Sequence, residues 1–370
     1  MVFETEIEGF ITAIQRERFV EIENLRKIFK EMKKDIATNK EDLTCDIDRP
    51  DKECLKSNVV AVDGSSYQEQ YDSISINIAT AYIYSNNEGK EKYLPNIKIV
   101  PPYYASLINS VDMKTLEYKI VLDLLKDGII ERPDLILLDG SMCFPDEALS
   151  YHLENVPLMR KSYEEHKSTV NEFYELILKK DIPTVAISKD PTANRYFVSL
   201  YKSTRSPSPN DEIDSWGSLG SNLMKNIGKK GMYNFISENS FIKKLMRDDS
   251  FKRTKYLEIT RALRNEIPAE MLRGEICGFY MKTVREQRPF FVEIPSKFMG
   301  RVDEITRILS AFSYYSLRPG YPFPLYAAHK KVELKKKYCR NIATILRNIA
   351  SKEFKGDYTL IFEEKFHDRL

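Results

Sequence analysis

Twice in this chain a run of apolar and β-branched residues stops at the same tripeptide. Asn58-Val59-Val60-Ala61-Val62 runs into Asp63-Gly64-Ser65, and Leu135-Ile136-Leu137-Leu138 into Asp139-Gly140-Ser141. A short continuous apolar run predicts a strand buried on both faces, as in parallel sheets, so each strand delivers one carboxylate at its carboxyl end. An ionised carboxylate is costly at such a place unless a partner charge, a metal ion or fixed donors offset its desolvation. Two of them on neighbouring strands would also repel, and a divalent cation is the simplest remedy. Asp-Gly after a strand can equally be a turn whose carboxylate caps the backbone. The repetition of the whole tripeptide favours the first reading and sets a metal-ion nuclease site as the working expectation.

The 370 residues leave room for one large domain with insertions or for two domains. Apolar content of 42% with 30% charged residues excludes a disordered chain. A net charge of +2 names no nucleic-acid partner, so any basic surface must come from local segregation. The five cysteines, Cys45, Cys54, Cys143, Cys277 and Cys339, stand singly, without zinc-ligand spacing, as reduced thiols of a cytosolic protein do. No apolar run approaches the roughly 20 residues of a membrane span, and the acidic start lacks a basic-then-apolar leader; a soluble cytoplasmic protein is expected.

Apolar residues at three- and four-residue steps from Phe3 to Met32 predict a long amphipathic helix within an N-terminal segment 1–36, followed by a polar loop over 37–57. Residues 59–100 alternate and turn as a β-meander, and 111–125 carry a helical stripe with Glu117 beside it. After the second aspartate strand come a helical stretch over about 146–180, interrupted near Pro157, and a buried strand over 182–188 that ends at Lys189. Residues 203–215 are rich in turn formers. From Lys225 to Arg264 there are eleven Lys or Arg against four acidic residues, with Tyr233, Phe235, Phe241, Phe251 and Tyr256 among them. That composition suits phosphate contact and base stacking, and equally a pair of ordinary helices with solvated lysines. Strands over 275–284 and 289–294, a helix over 302–314 and a last helix over about 325–350 complete the core, with a tail over 351–370.

A third oxygen ligand would suit a hard cation, and Glu117 can supply it from the crossover helix or be a surface residue. The stretch Arg318-Pro319-Gly320-Tyr321-Pro322-Phe323-Pro324 holds its backbone stiffly, so Tyr321 and His329 would be rigidly presented. His329 is then a ligand, a general acid or base, or a satisfied buried imidazole, whereas His152, His166 and His367 lie in polar surroundings that predict exposure. Tyr321 can donate to a phosphate oxygen or be structural, as most of the 22 tyrosines must be.

The ordered set Val60-Ala61-Val62-Asp63-Gly64-Ser65, Leu116-Glu117, Leu137-Leu138-Asp139-Gly140-Ser141, Ile187-Ser188-Lys189 and Gly320-Tyr321-Pro322 with His329 resembles the NurA nuclease family over about 55–350. The resemblance implies an α/β, ribonuclease H-like mixed sheet flanked by helices, with the N-terminal helix and a helical basic insertion over about 203–264 added. It implies manganese-dependent 5′ to 3′ exonuclease and single-strand endonuclease action on DNA, with magnesium as the alternative ion. It also implies a homodimer that works with a HerA-type hexameric ATPase in end resection. Carried over by position, Asp63, Glu117, Asp139 and His329 match the metal site, Tyr321 the tyrosine near it and Lys189 a basic residue at phosphate. The rivals from other classes are a non-catalytic DNA-binding adaptor of a translocase and a small-molecule phosphatase.

Overall fold

Both Asp-Gly-Ser runs form inner strands of one mixed sheet in the computed structural model, which describes residues 40–87, 91–145, 156–189, 195–203, 208–212, 238–260, 266–267 and 275–354, with Lys30 and Lys34. The first strands are β1 (Thr44–Asp46), the meander β2 (Val59–Gln70), β3 (Ser75–Ser85) and β4 (Glu91–Val100). Helix α1 (Ala105–Lys126) leads to β5 (Leu135–Asp139) and the short β6 (Phe144–Pro145). Then follow α2 (Pro157–Lys179), β7 (Thr184–Ser188), α3 (Arg195–Ser203) and α4 (Glu238–Leu245). The second half adds β8 (Lys252–Thr254), β9 (Leu257–Glu258), β10 (Glu266–Ile267), β11 (Ile276–Lys282) and β12 (Phe290–Pro295). Helices α5 (Val302–Tyr314), α6 (Phe323–Val332) and α7 (Lys336–Phe354) close it.

The sheet runs β1-β8-β11-β12-β7-β5-β2-β3-β4, with β9 also on β11 and β6 paired to β10 apart. Only β2–β5 and β5–β7 are parallel, and they are the centre of the sheet. Their continuous apolar character has a direct cause, since both faces are covered. Val60, Val62, Ile136 and Leu138 pack with Ile120, Val121 and Phe173 of α1 and α2. Val59, Ala61, Leu135 and Leu137 pack with Leu309, Leu325 and Ala328 of α5 and α6. Each such burial contributes about 1.5–3 kcal/mol.

The parallel register pairs Val62 with Leu138, so its next step sets Asp63 and Asp139 side by side. Side chains alternate along a strand, so both aspartates lie on the α5/α6 face, on strands about 4.8 Å apart. Their glycines open toward the other helix layer. A Cβ on Gly64 would stand 2.5 Å from Glu117 Oε1 and 2.6 Å from Met113 Cγ, and one on Gly140 would stand 3.1 Å from Lys114 Nζ. Gly140 also has φ +93°, which side chains rarely tolerate.

Several expectations need correction. The 37–57 stretch is not all loop: β1 pairs with β8 at the edge of the sheet, and Lys52–Lys56 form a 3-10 turn. Strands of three residues carry too few side chains to display a period. The last helix is two, because Glu333 takes an extended ψ of 108° between α6 and α7. The basic region is not simply helical, since β8 and β9 join the main sheet on β11. Among the described residues its aromatics serve packing: Phe241 is buried in the core, and Phe251 and Tyr256 pack against the α5/α6 layer. Arg253 is buried in a two-pronged pair with Glu212, at 2.5 and 2.8 Å. Tyr233 and Phe235, the Phe3–Met32 helix, His152, His367 and most of the 203–215 segment lie outside the described residues, as does the 355–370 part of the tail. All five cysteines are free. Among the described residues no helix is long and apolar enough to cross a membrane.

His166 is buried between α1 and α2, with Nδ1 3.0 Å from Thr115 Oγ1 and its ring edge-on to Tyr118. Burial first, and then the Lys114 charge, hold it down at about 4 against an ordinary 6.5. The unfolded chain therefore takes up a proton that the fold refuses. Stability from this site is complete above pH 6.5 and is lost as pH falls toward 4, to a limit of about 3 kcal/mol. Urea unfolding at pH 7.5 and pH 5.0 should lose stability more steeply in the wild type than in His166→Gln; equal losses would contradict this. Gly64→Ala should destabilise by about 1–3 kcal/mol through the contact with Glu117 and Met113, and an unchanged melting temperature would contradict the close approach.

Candidate active site

Each expected site residue arrives on a different element. Asp63 ends the apolar half of β2 and Asp139 ends β5. His329 lies on α6, where Nδ1 is 2.8 Å from Asp63 Oδ2. Asp63 Oδ1 accepts from the Gly64 N–H at 2.7 Å. Tyr321, just ahead of α6, donates its hydroxyl to Asp139 Oδ1 at 2.8 Å. The turn that carries it is held by Gly320, whose N–H donates to Ser313 O at 2.9 Å and whose φ is +93°. Lys189, one residue beyond β7, has its ammonium 3.9 Å from Asp139 Oδ1 and 4.3 Å from the centre of the Tyr321 ring. Five positions scattered over the sequence thus gather where the parallel pairing stops, at the carboxyl ends of β5 and β7 and at Asp63. Asp63 lies inside β2 rather than at its end as expected, because β2 runs on to Gln70 against β3.

Glu117 reaches the same strand ends from α1, on the other side of the sheet, and is only 2% exposed. The sequence reasoning overlooked its neighbour Lys114. That ammonium binds Glu117 Oε2 at 2.7 Å and the Asp139 carbonyl oxygen at 2.7 Å. An acid and a lysine three residues apart on a helix are a visible signal. A second omission is the support under Ser141. Glu293, fully buried on β12, accepts from the Ser141 hydroxyl at 2.9 Å and the Met142 N–H at 2.7 Å, and Arg195 of α3 pairs with it. A glutamate inside Phe290-Phe291-Val292-Glu293-Ile294 was the available sign.

The charges are not balanced within the chain. Burial raises the Asp63 carboxyl, and Asp139 raises it further, while His329 and Lys114 oppose the shift. Burial pushes Glu117 up to about 8 against the pull of Lys114, with Asp63 and Asp139 adding to the rise. Burial alone would lower Lys114, but Glu117 and Asp139 overturn that and hold it above its ordinary value. Asp63, Glu117 and Asp139 thus crowd around the half-buried Lys114 ammonium, with Lys189 beside Asp139 on the other face.

Among the described residues, no three His, Cys, Asp or Glu side chains close on one point as a formed metal cage. The donor set nevertheless fits a divalent cation. Glu117 Oε1 is buried with no hydrogen-bond partner, two acids stand side by side, and oxygen donors with one imidazole suit manganese or magnesium. His329 uses Nδ1 on Asp63, which leaves Nε2 for a cation or a proton.

Comparison with known proteins matches residues 57–334 to the NurA domain family, well over half of the chain. The NurA nuclease from Sulfolobus solfataricus has a similar structure, with TM-score 0.58 at 20% identity over 92% of this chain and 98% of that one. A NurA crystallised with manganese is similar at TM-score 0.55 and 14% identity, over 89% and 97% of the two chains. A further NurA structure gives 0.57 and 14% over 95% and 99%. Curated protein sequences give no significant match. With the family profile running from the start of β2 through α6 and its histidine, the chain belongs to the NurA nuclease family.

Proposed function

We propose that this nuclease hydrolyses DNA phosphodiesters with a divalent cation held by Asp63 and Asp139, with Glu117 and His329 completing the set. The observation that carries the reading is the parallel register of β2 and β5, which puts the buried Asp63 and the half-buried Asp139 on one face at adjacent positions. A cation bound there supplies charge against the phosphate oxygens and acidifies the attacking water. The chain's own residues do the rest. Asp63 fixes the His329 ring through Nδ1, so that Nε2 is aimed for coordination or proton transfer. Tyr321 orients Asp139, and Lys189 places a positive charge beside it for a phosphate oxygen. Lys114 prevents Glu117 from swinging away from the strand ends.

The crystallisation of a related NurA with manganese supports that ion, and the imidazole favours it somewhat over magnesium. The finer features, 5′ to 3′ polarity, single-strand endonuclease action, homodimerisation and partnership with a HerA-type hexameric ATPase in end resection, rest on the family resemblance. A binding-only adaptor is disfavoured, because a chain freed from catalysis has no reason to keep three mutually repelling acids together.

Asp63→Asn and Asp139→Asn should each reduce manganese-dependent cleavage of labelled single-stranded DNA by about 10²–10³-fold or more, the scale expected when charge stabilisation is lost. Their melting temperatures should stay level or rise, since each removes one of two repelling charges. Cleavage at wild-type rates by either folded variant would refute the assignment. EDTA should abolish cleavage and added manganese restore it; activity in EDTA would refute the metal requirement.

A further inference from the structure

Beside the aspartates, a cavity of about 420 Å³ lies on the Tyr321 side of the site, within the range of small-ligand pockets. Its cations come from separate segments. Lys243 projects from α4, Arg288 from the β11–β12 connection and Arg318 from the α5–α6 connection, while Lys189 and Tyr321 are shared with the aspartate site. One carboxylate, Glu286, faces these four cations, so the rim is positive. Among the described residues, the side chains of Lys243 and Arg318 have no ion-pair or hydrogen-bond partner. Converging like charges are unfavourable in the free protein, and a polyanion relieves them. The walls are also built rather than loose. Gly320 lies so close to the β11–β12 turn that a Cβ there would stand 2.5 Å from Gln287 Cγ, and the Gln287 N–H donates to Val284 O at 3.2 Å. Tyr326, half-buried, adds a ring surface that suits a sugar or base.

We propose that this cavity is a phosphate-binding subsite for the substrate strand, in which Arg318, Lys243 and Arg288 hold a phosphate adjoining the one at Asp63 and Asp139. The inference rests on the nuclease reading and deepens it. Lys189 is the link, since it lines the cavity while its ammonium stands 3.9 Å from Asp139. The phosphate can be a strand's terminal group or an internal diester, and the chemistry of capture is the same.

The test is binding without cleavage. A fluorescent 12-nucleotide oligo-dT, with 5′-phosphate or 5′-hydroxyl, is titrated in EDTA at several salt concentrations against the full chain, the double variant Arg318→Ala/Lys243→Ala, and the charge-matched control Lys52→Ala/Lys56→Ala. All four substituted side chains are exposed, so the fold is kept. The double variant should bind about tenfold more weakly than the control, with a log–log salt slope smaller by about 1.4, the value for two lost single-strand phosphate contacts. A loss confined to the 5′-phosphorylated strand assigns the terminal group, and an equal loss on both strands assigns an internal diester. Identical affinities and slopes for the double variant and control, or no binding by the wild type, would overturn the subsite. A smaller slope in the double variant, together with a wild type that never cleaves with manganese, would sink the nuclease reading and leave the subsite standing.

Discussion

The structure turns on a repulsion that the backbone enforces. Once β2 and β5 pair in parallel with Val62 beside Leu138, the two aspartates must be neighbours on the same face, and no rotamer takes either far away. Burial denies Asp63 bulk water, so the cost of the Asp139 charge beside it is larger than at a surface. Much of the surrounding chemistry is a response. His329 and Tyr321 each hold one carboxylate oxygen, Lys189 stands beside Asp139, and Lys114 approaches from behind. With these partners in place Asp63 and Glu117 still stand above their ordinary carboxyl values, which is the physical reason to expect a cation.

The glycines after the aspartates serve this arrangement as much as the carboxylates do. By lacking side chains they let α1 press Glu117 and Lys114 against the strand ends from the face opposite His329 and Tyr321. The site is therefore assembled through the sheet from two helix layers. Rigid elements place every member, and the buried Glu293 with Arg195 steadies the Ser141 turn beneath Asp139. Such preorganisation is what a site needs when its acids must keep their geometry before substrate arrives.

How legible this was depended on how much sequence each feature occupies. The inner strands announced themselves, because burial on both faces writes four or five apolar residues in a row. Asp-Gly-Ser marked the end of β5 but in β2 only the end of the doubly covered part, since that strand runs on to Gln70 against β3. Glu117 was harder, since a helix turns its partner-facing acids and its surface acids past the same stripe, so the residues alone left ligand and surface readings open and the resemblance favoured the first. Glu293 and the burial of His166 went unread because a charged or polar side chain in a core is explained by its partner, and that partner lies far off in the chain; Lys114 was missed although Glu117 stands three residues on. The basic stretch misled for the same reason. Its lysines and arginines were counted as surface, yet Arg253 is matched by Glu212 inside the fold, and Phe241 is core. Among the described residues of that stretch, Lys243 lines the cavity next to the aspartates.

The central claim is that Asp63 and Asp139 grip a common cation. Crystals of the chain soaked in manganese, with anomalous differences collected at a wavelength where manganese scatters, address it most directly. The account predicts a peak within coordination distance of oxygens from both aspartates. A map in which manganese sites lie elsewhere, with both carboxylates well ordered and no peak between them, would contradict it.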